Sequence, residues 1–162
     1  MGDVILPRTM HSINRYFKNQ IARRHRNTKN FSKAIAIYEH HAKLNLRKFG
    51  DDNEVTLRAY SRLANTYYAS ANYPKALIRF KFILNQRIKL LGANHPNTLR
   101  SMTSLGNCHY QMKEYTVSKE LHNRAFKSRT VTLGPNHPRT ILSKNRVYEC
   151  DIAIKSQTIH DG

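Results

Sequence analysis

Apolar residues recur three and four positions apart along most of this chain, and the pattern comes in pairs of segments. It runs through residues 57–70, breaks at Ala71-Asn72, and resumes from Tyr73 to Ile88. This spacing places the apolar side chains on one face of a helix. The two segments therefore predict a helix pair, which we denote A and B.

The helix pair repeats with a period of 42 residues. Residues 91–99 read LGANHPNTL and residues 133–141 read LGPNHPRTI, while 49–57 carry a weaker copy, FGDDNEVTL. Gly92 and Gly134 mark the ends of B helices, and Pro96 and Pro138 mark the starts of the A helices that follow. Self-similarity at a fixed period indicates a stacked-repeat protein. The predicted elements are helix pairs at about 13–48, 54–90 and 96–131, a final single helix at 138–156, and tails at 1–12 and 157–162.

The pattern inside each unit narrows the choice of repeat. A period near 42 suits HEAT and armadillo helices and also a propeller blade, but a propeller needs alternating strands and a Trp-Asp motif, and this chain has no Trp. Helix A carries Leu-(Ala/Gly)-x-x-(Tyr/His), and helix B carries an aromatic residue with a small residue three positions later. This pattern resembles the tetratricopeptide repeat (TPR), lengthened by about eight residues over the usual 34.

The linker between units makes the resemblance more specific. His-Pro-x-Thr occurs at residues 95–98 and 137–140. A 42-residue unit with Leu-Gly-x-x-His-Pro-x-Thr-Leu resembles the kinesin light chain type of TPR, and the match covers roughly residues 31–155. The resemblance implies an all-α solenoid, a right-handed superhelix of antiparallel helix pairs. It supports the repeat module and not a motor role, since the heptad coiled coil of a light chain is not found in this sequence.

Polar residues on the A helices also recur 42 apart. Arg58 and Asn65 are matched by Arg100 and Asn107. By resemblance to TPR modules, these positions face a concave groove that holds an extended peptide, with the asparagines bonding its backbone. Arginines pair with carboxylates in forked geometry. The alternative is ordinary polar surface. The predicted peptide-binding residues are Arg23, Arg26, Arg58, Asn65, Tyr68, Arg100, Asn107 and Tyr110.

Charge suggests the chemistry of the partner. The 162 residues contain 28 Lys+Arg and 10 Asp+Glu, a formal charge of +18, and there is no acidic residue from Val55 to Lys113. A basic surface attracts acidic partners. We expect an acidic peptide. Nucleic acid, bound through the basic run at residues 23–26, is the alternative, and a fragment of a larger kinesin light chain-like scaffold is a third interpretation.

Catalysis, cofactors and metals are not expected. The chain has no GxSxG, P-loop or glycine-rich nucleotide turn. His95 and His137 occupy equivalent positions in adjacent repeats, which should lie too far apart to share a metal, so we expect them to cap and pack the linkers. Cys108 and Cys150, also 42 apart, are expected to be buried and unlinked.

Location and self-association are the remaining expectations. No apolar run approaches the roughly 18–20 residues that span a bilayer, and no signal-peptide pattern is visible, so we expect a cytoplasmic protein without a membrane span. The arginine-rich, acid-poor segment 8–29 leaves a mitochondrial presequence open. The last A helix has no B helix to cover its apolar residues, which predicts self-association there.

Overall fold

Helices stacked in chain order make up the described part of the chain. The structure, a computed structural model, describes the backbone of residues 8–160 and the side chains of residues 18–159. In this range the secondary structure consists of α-helices and connecting turns. The helices are α1 (Arg8–Asn27), α2 (Phe31–Phe49), α3 (Glu54–Ala69), α4 (Tyr73–Leu91), α5 (Pro96–Gln111), α6 (Tyr115–Leu133) and α7 (Pro138–His160).

Each helix packs mainly against the next one along the chain. This order confirms the predicted all-α solenoid, and the described helices follow one another as three pairs and a last single helix. Close packing depends on small residues: Ala64 and Ala76 are fully buried between α3 and α4, and Ser118 is fully buried on α6. Large side chains such as Leu57 and Ile83 fill the space beside them.

Two helix bounds differ from the sequence prediction by more than two residues. Helix α1 begins at Arg8, so residues 8–12, assigned to a tail, are helical. Helix α7 extends to His160, so residues 157–160 are helical as well. No glycine or proline occurs in residues 8–27 or 139–160, and nothing in the backbone chemistry therefore stops either helix earlier.

The 42-residue period is also present in the backbone conformation. The A–B turns each hold a residue with φ between 58° and 63°, and these are Lys29, Ala71 and Lys113. The B helices end at Gly50, Gly92 and Gly134, with φ of 81–87°. Their ψ values, 159–177°, place them in a region that only glycine enters without strain. The repeated glycines therefore fix how one pair turns into the next.

The linker histidines act as helix caps. Nδ1 of His95 accepts a hydrogen bond from the backbone N–H of Asn97 at 3.1 Å, and Nδ1 of His137 accepts one from Arg139 at 3.1 Å. Capping of this kind satisfies N–H groups that a helix leaves unpaired at its start. No cluster of metal-ligating side chains occurs among the described residues. The predicted capping role is confirmed.

Both cysteines are buried and free. Burial raises the pKa of the Cys108 thiol to about 11, with a smaller contribution from the negative charge of Glu114. Burial also raises the pKa of Cys150, while a hydrogen bond with Ser118 acts in the opposite direction. Thiols with raised pKa values react slowly, because the thiolate is the reactive form.

None of the helices in the described range is both long and apolar enough to cross a membrane.

Candidate functional site

A buried arginine joins three consecutive helices. The side chain of Arg87, on α4, is only 1% exposed. Its Nε and Nη2 atoms donate to both carboxylate oxygens of Glu54 on α3, at 3.1 and 2.8 Å. Its Nη1 atom donates to Ser101 Oγ on α5 at 2.8 Å. The forked ion pair neutralises a charge that would otherwise be costly to bury.

This arginine forms the floor of a cavity of about 240 Å³ bounded by α3, α4 and α5, which we call the α3–α5 cavity. Two predicted binding residues of α3, Arg58 and Asn65, line it together with Arg100 of α5. All three are exposed. The full lining is Arg58, Ser61, Arg62, Asn65, Phe80, Arg87, Arg100, Ser101 and Ser104.

A second cavity of about 220 Å³ repeats the first one pair further along the chain. It is bounded by α5, α6 and α7, and we call it the α5–α7 cavity. Arg100 lines both cavities, so they are neighbours on the same side of the solenoid. The lining is Arg100, Thr103, Asn107, His122, Arg129, Arg139, Leu142, Ser143 and Arg146.

The two cavities differ in their buried floor. The α3–α5 cavity has Phe80, and the equivalent position 42 residues later is His122, whose side chain is 1% exposed. Neither ring nitrogen of His122 has a hydrogen-bond partner. Its close approach to α5 requires Gly106, since a Cβ there would lie 2.8 Å from His122 Nε2.

His122 is neutral at pH 7. Burial lowers its pKa to about 4, from 6.5, and the positive charges of Arg146 and Arg129 act in the same direction. The carboxylate of Glu149 partly offsets them. His122 therefore contributes polar but uncharged nitrogens to the α5–α7 cavity.

The arginines around these cavities are largely without carboxylate partners. In the described part of the chain, no carboxylate lies within ion-pair distance of Arg58, Arg100, Arg129 or Arg139. Arg146 pairs with Glu149 at 2.7 Å. Burial lowers the pKa of Arg100, and the neighbouring charge of Arg87 lowers it further. Excess positive charge is thus concentrated where the cavities meet.

Of the other predicted site residues, Asn107 lines a cavity, and Arg23, Arg26, Tyr68 and Tyr110 line neither. Tyr68 packs edge-on against Tyr73 with ring centroids 5.6 Å apart, and Tyr110 packs on Tyr115 at 5.1 Å. Both tyrosines are half-buried, so part of each ring supports the A–B contact. Arg23 and Arg26 lie on α1 and line neither cavity, whereas Asn107 lines the α5–α7 cavity.

Sequence reasoning missed the buried arginines. Arg87 sits on a B helix, where the pattern predicts an ordinary surface charge. One feature of the sequence points to its role: Arg87 and Arg129 are 42 apart, as are their partners Ser101 and Ser143. Surface residues are not expected to repeat both the donor arginine and the acceptor serine at the same spacing.

The fold and its cavities first define a class, a stacked helix-pair protein with basic cavities along one side. The tetratricopeptide repeat family model matches residues 16–82 and 72–130. This match covers more than half of the chain, and the chain therefore belongs to the tetratricopeptide repeat family. The predicted recognition is confirmed.

Solved structures support the same fold. Nearly identical TPR-like repeats from a kinesin light chain candidate of Podosopora anserina give a TM-score of 0.80 at 18% identity, over 86% of this chain and 66% of that chain. A single-substitution variant of that protein gives the same values. BtubC (BKLC) from P. vanneervenii gives 0.66 at 16% identity, over 90% and 63%. The chain thus spans a little under two thirds of the length of these structures. No curated protein sequence matches the chain significantly.

Proposed function

We propose that this chain is a non-catalytic protein-interaction module that binds an extended acidic peptide along the side formed by the two cavities. The observation that carries the proposal is the placement of Arg58 and Arg100. They occupy equivalent positions on consecutive A helices, both are exposed, and neither has a carboxylate partner among the described residues. Two guanidinium groups one repeat apart suit acidic side chains spaced along an extended chain.

The asparagines supply a second kind of contact. Asn65 and Asn107 lie two turns further along α3 and α5 than the arginines, and each lines one cavity. An amide side chain carries both a donor and an acceptor, which matches a peptide group irrespective of its side chain. The arginines would therefore set charge preference, and the asparagines would favour an extended backbone.

Arg23, Arg26, Tyr68 and Tyr110 are proposed as flanking contacts. The arginines would extend the basic surface onto α1, and the exposed parts of the tyrosines offer apolar contact beside the asparagines. Contacts at the rim contribute less than those at the centre of an interface. We expect each of the four to matter less than Arg58 or Arg100.

The test is fluorescence polarisation with a labelled hexaglutamate peptide. The variant Arg58→Ala/Arg100→Ala should weaken binding more than about tenfold, because each arginine loses a charge-assisted hydrogen bond. The matched control is Arg124→Ala/Lys127→Ala on α6, which removes the same charge from two exposed side chains that line neither cavity. Arg87 is unsuitable as a control because it is buried in an ion pair.

Equal losses in the two double variants would mean diffuse charge attraction and would contradict the proposal. Competition with random-sequence RNA addresses the nucleic-acid alternative. If RNA binds through residues 23–26 and displaces the peptide poorly, neutralising Arg23, Arg24 and Arg26 will abolish RNA binding and leave peptide binding nearly intact. RNA that outcompetes the peptide at the cavities would favour nucleic acid as the partner.

We further propose that α7 mediates association between two copies of the chain. Tyr148 is 67% exposed, and Ile141 and Ile152 are about half exposed. Each preceding A helix is covered by the B helix that follows it, whereas α7 is followed by no further helix among the described residues. Burying these side chains against a second α7 removes apolar surface from water, which is the dominant driving force for association.

A further inference from the structure

The same arginine position occurs in two environments. In the α3–α5 cavity, Arg87 is neutralised by Glu54, the first residue of α3. In the α5–α7 cavity, the equivalent arginine is Arg129, and the first residue of α5 is Pro96. The serine partner is kept, since Arg129 donates to Ser143 Oγ as Arg87 donates to Ser101. The α5–α7 cavity therefore keeps the arginine and the serine of this arrangement and lacks its carboxylate.

This loss leaves a buried positive charge with no carboxylate partner among the described residues. Arg129 is 7% exposed, and its hydrogen bond to Ser143 uses one of five guanidinium donors. Charges buried in proteins are normally paired, because desolvation of an isolated charge is costly. An anion entering the cavity would meet donors that the fold already holds in place.

Three further sequence differences from the α3–α5 constellation add positive charge or hydrogen-bonding nitrogens to the α5–α7 cavity. Asn97 is replaced by Arg139, and Ser104 by Arg146. Both arginines line the α5–α7 cavity, and Arg139 has no carboxylate within ion-pair distance among the described residues. On the floor, His122 brings two buried ring nitrogens without partners where the earlier cavity has Phe80. Each of these three changes adds a hydrogen-bonding nitrogen or a positive charge, whereas Leu142 stands at the position that Arg100 occupies in the earlier cavity.

We propose that the α5–α7 cavity binds a phosphomonoester dianion, carried as a phosphorylated side chain by the acidic peptide that the proposed function places on this surface. The identification of the peptide as carrier rests on that proposed function. Arg100, Arg129 and Arg139 provide three guanidinium groups that have no carboxylate partner in the described part of the chain. Their combined charge is more than one carboxylate would neutralise. A phosphoryl group carries about −1.5 to −2 and three acceptor oxygens, which suits a cluster of arginines.

The experiment compares three labelled peptides of the form acetyl-Glu-Glu-X-Glu-Glu-amide, in which X is serine, glutamate or phosphoserine. Fluorescence polarisation with the wild-type chain should give a dissociation constant for the phosphoserine peptide at least about tenfold lower than for the glutamate peptide. Equal affinities for these two peptides would overturn the proposal, since a carboxylate would then serve as well as a phosphate.

The decisive variant restores the missing carboxylate. Pro96→Glu places a glutamate at the position equivalent to Glu54, where it can neutralise Arg129 from inside the fold. It should abolish the phosphoserine preference and leave the affinity for the serine peptide within about threefold. Pro96→Gln is the matched control, because it also removes the proline but adds no charge, and it should keep the preference. Loss of the phosphoserine preference in both variants, or in neither, would contradict the placement of the phosphoryl group in the α5–α7 cavity.

Folding of both variants is checked by circular dichroism and thermal melting. A glutamate in the first turn of a helix is favourable, so Pro96→Glu should melt no lower than Pro96→Gln. If Pro96→Glu fails to fold, Arg139→Gln replaces it, since this side chain is exposed and its loss leaves the interior unchanged. It should reduce the phosphoserine preference at least about threefold, and an unchanged preference would contradict the assignment.

Free O-phosphoserine separates this inference from the proposed function. Binding of all three peptides, with phosphoserine preferred, supports both. Binding without that preference leaves the acidic-peptide function standing and overturns the phosphate site. If free O-phosphoserine binds the wild type and not Pro96→Glu, while no peptide binds, the cavity takes phosphomonoesters from a small-molecule source, and the peptide as carrier is refuted.

Discussion

Replacing His122 by phenylalanine should remove most of the acid sensitivity that this side chain gives to the fold. Phenylalanine already occupies the equivalent position, Phe80, one repeat earlier. The earlier repeat packs the phenylalanine ring opposite Ala64, and the residue that faces position 122 is the smaller Gly106. The substitution also removes two buried nitrogens that have no partners. We therefore expect the variant to fold and to be at least as stable as wild type at pH 7.

The magnitude follows from the pKa difference between the folded and unfolded chain. The pKa of His122 is lowered from 6.5 to about 4 in the folded state, so between these values the unfolded chain binds a proton that the folded chain does not. Stability is then highest above pH 6.5 and falls as the pH decreases towards 4. At about 1.4 kcal/mol per pKa unit, the loss over this window is roughly 3 kcal/mol.

The assay is urea unfolding followed by circular dichroism in half-unit steps from pH 7.5 to about pH 4. The quantity of interest is the wild-type free energy of unfolding minus that of His122→Phe, because other titrating groups are shared and cancel. The account predicts a difference that is constant above about pH 6.5 and becomes more negative on acidification. Parallel pH profiles for the two proteins would show that His122 is not buried as a neutral group, and the reasoning would fail.

Three other perturbations test the packing. Glu54→Gln should destabilise the fold by about 3 kcal/mol in urea unfolding, because it leaves Arg87 buried without its counter-ion. The control Asp52→Asn, which neutralises an exposed carboxylate, should change the free energy of unfolding by less than about 0.5 kcal/mol. Similar effects of the two substitutions would contradict the role of the Arg87–Glu54 ion pair. Ala71→Gly should raise stability by about 0.5–1 kcal/mol, because φ of 58° disfavours a residue with a Cβ, and a loss of stability would argue against that turn conformation. In sedimentation velocity, the wild-type chain should be a dimer and the variant Ile152→Glu, changed on α7, should be a monomer. A wild-type chain that is monomeric at every concentration would refute self-association.

The sequence predicts the helices and the neighbouring arginines because both depend on the repeat alone. Apolar spacing marks each helix, and the glycine and proline positions mark its ends. Arg58 and Arg100 fall on one surface because equal positions in stacked repeats share a face. No knowledge of the detailed packing is needed for either inference.

The buried charges depend on packing and are not visible in the sequence pattern. Arginine is usually exposed, and Arg87 reaches a carboxylate 33 positions away that only the assembly of α3, α4 and α5 brings near. His122 falls at a core aromatic position, as the pattern indicates, but its unpaired nitrogens and its approach to Gly106 on α5 depend on the packing. Its lowered pKa follows first from burial and then from the charge of Arg146 on α7. Comparison of the two cavities in three dimensions is what reveals the missing carboxylate.

The central claim is that an acidic peptide lies along the two cavities, and side-chain amide NMR tests it most directly. The chain is labelled with nitrogen-15, the side-chain amide signals of Asn65 and Asn107 are assigned by substituting each asparagine, and hexaglutamate is titrated in. The account predicts that both amides shift along one binding curve, while the amide of Asn123 on α6, which lines neither cavity, stays in place. Shifts confined to α1, or saturation without any change at Asn65 and Asn107, would contradict it.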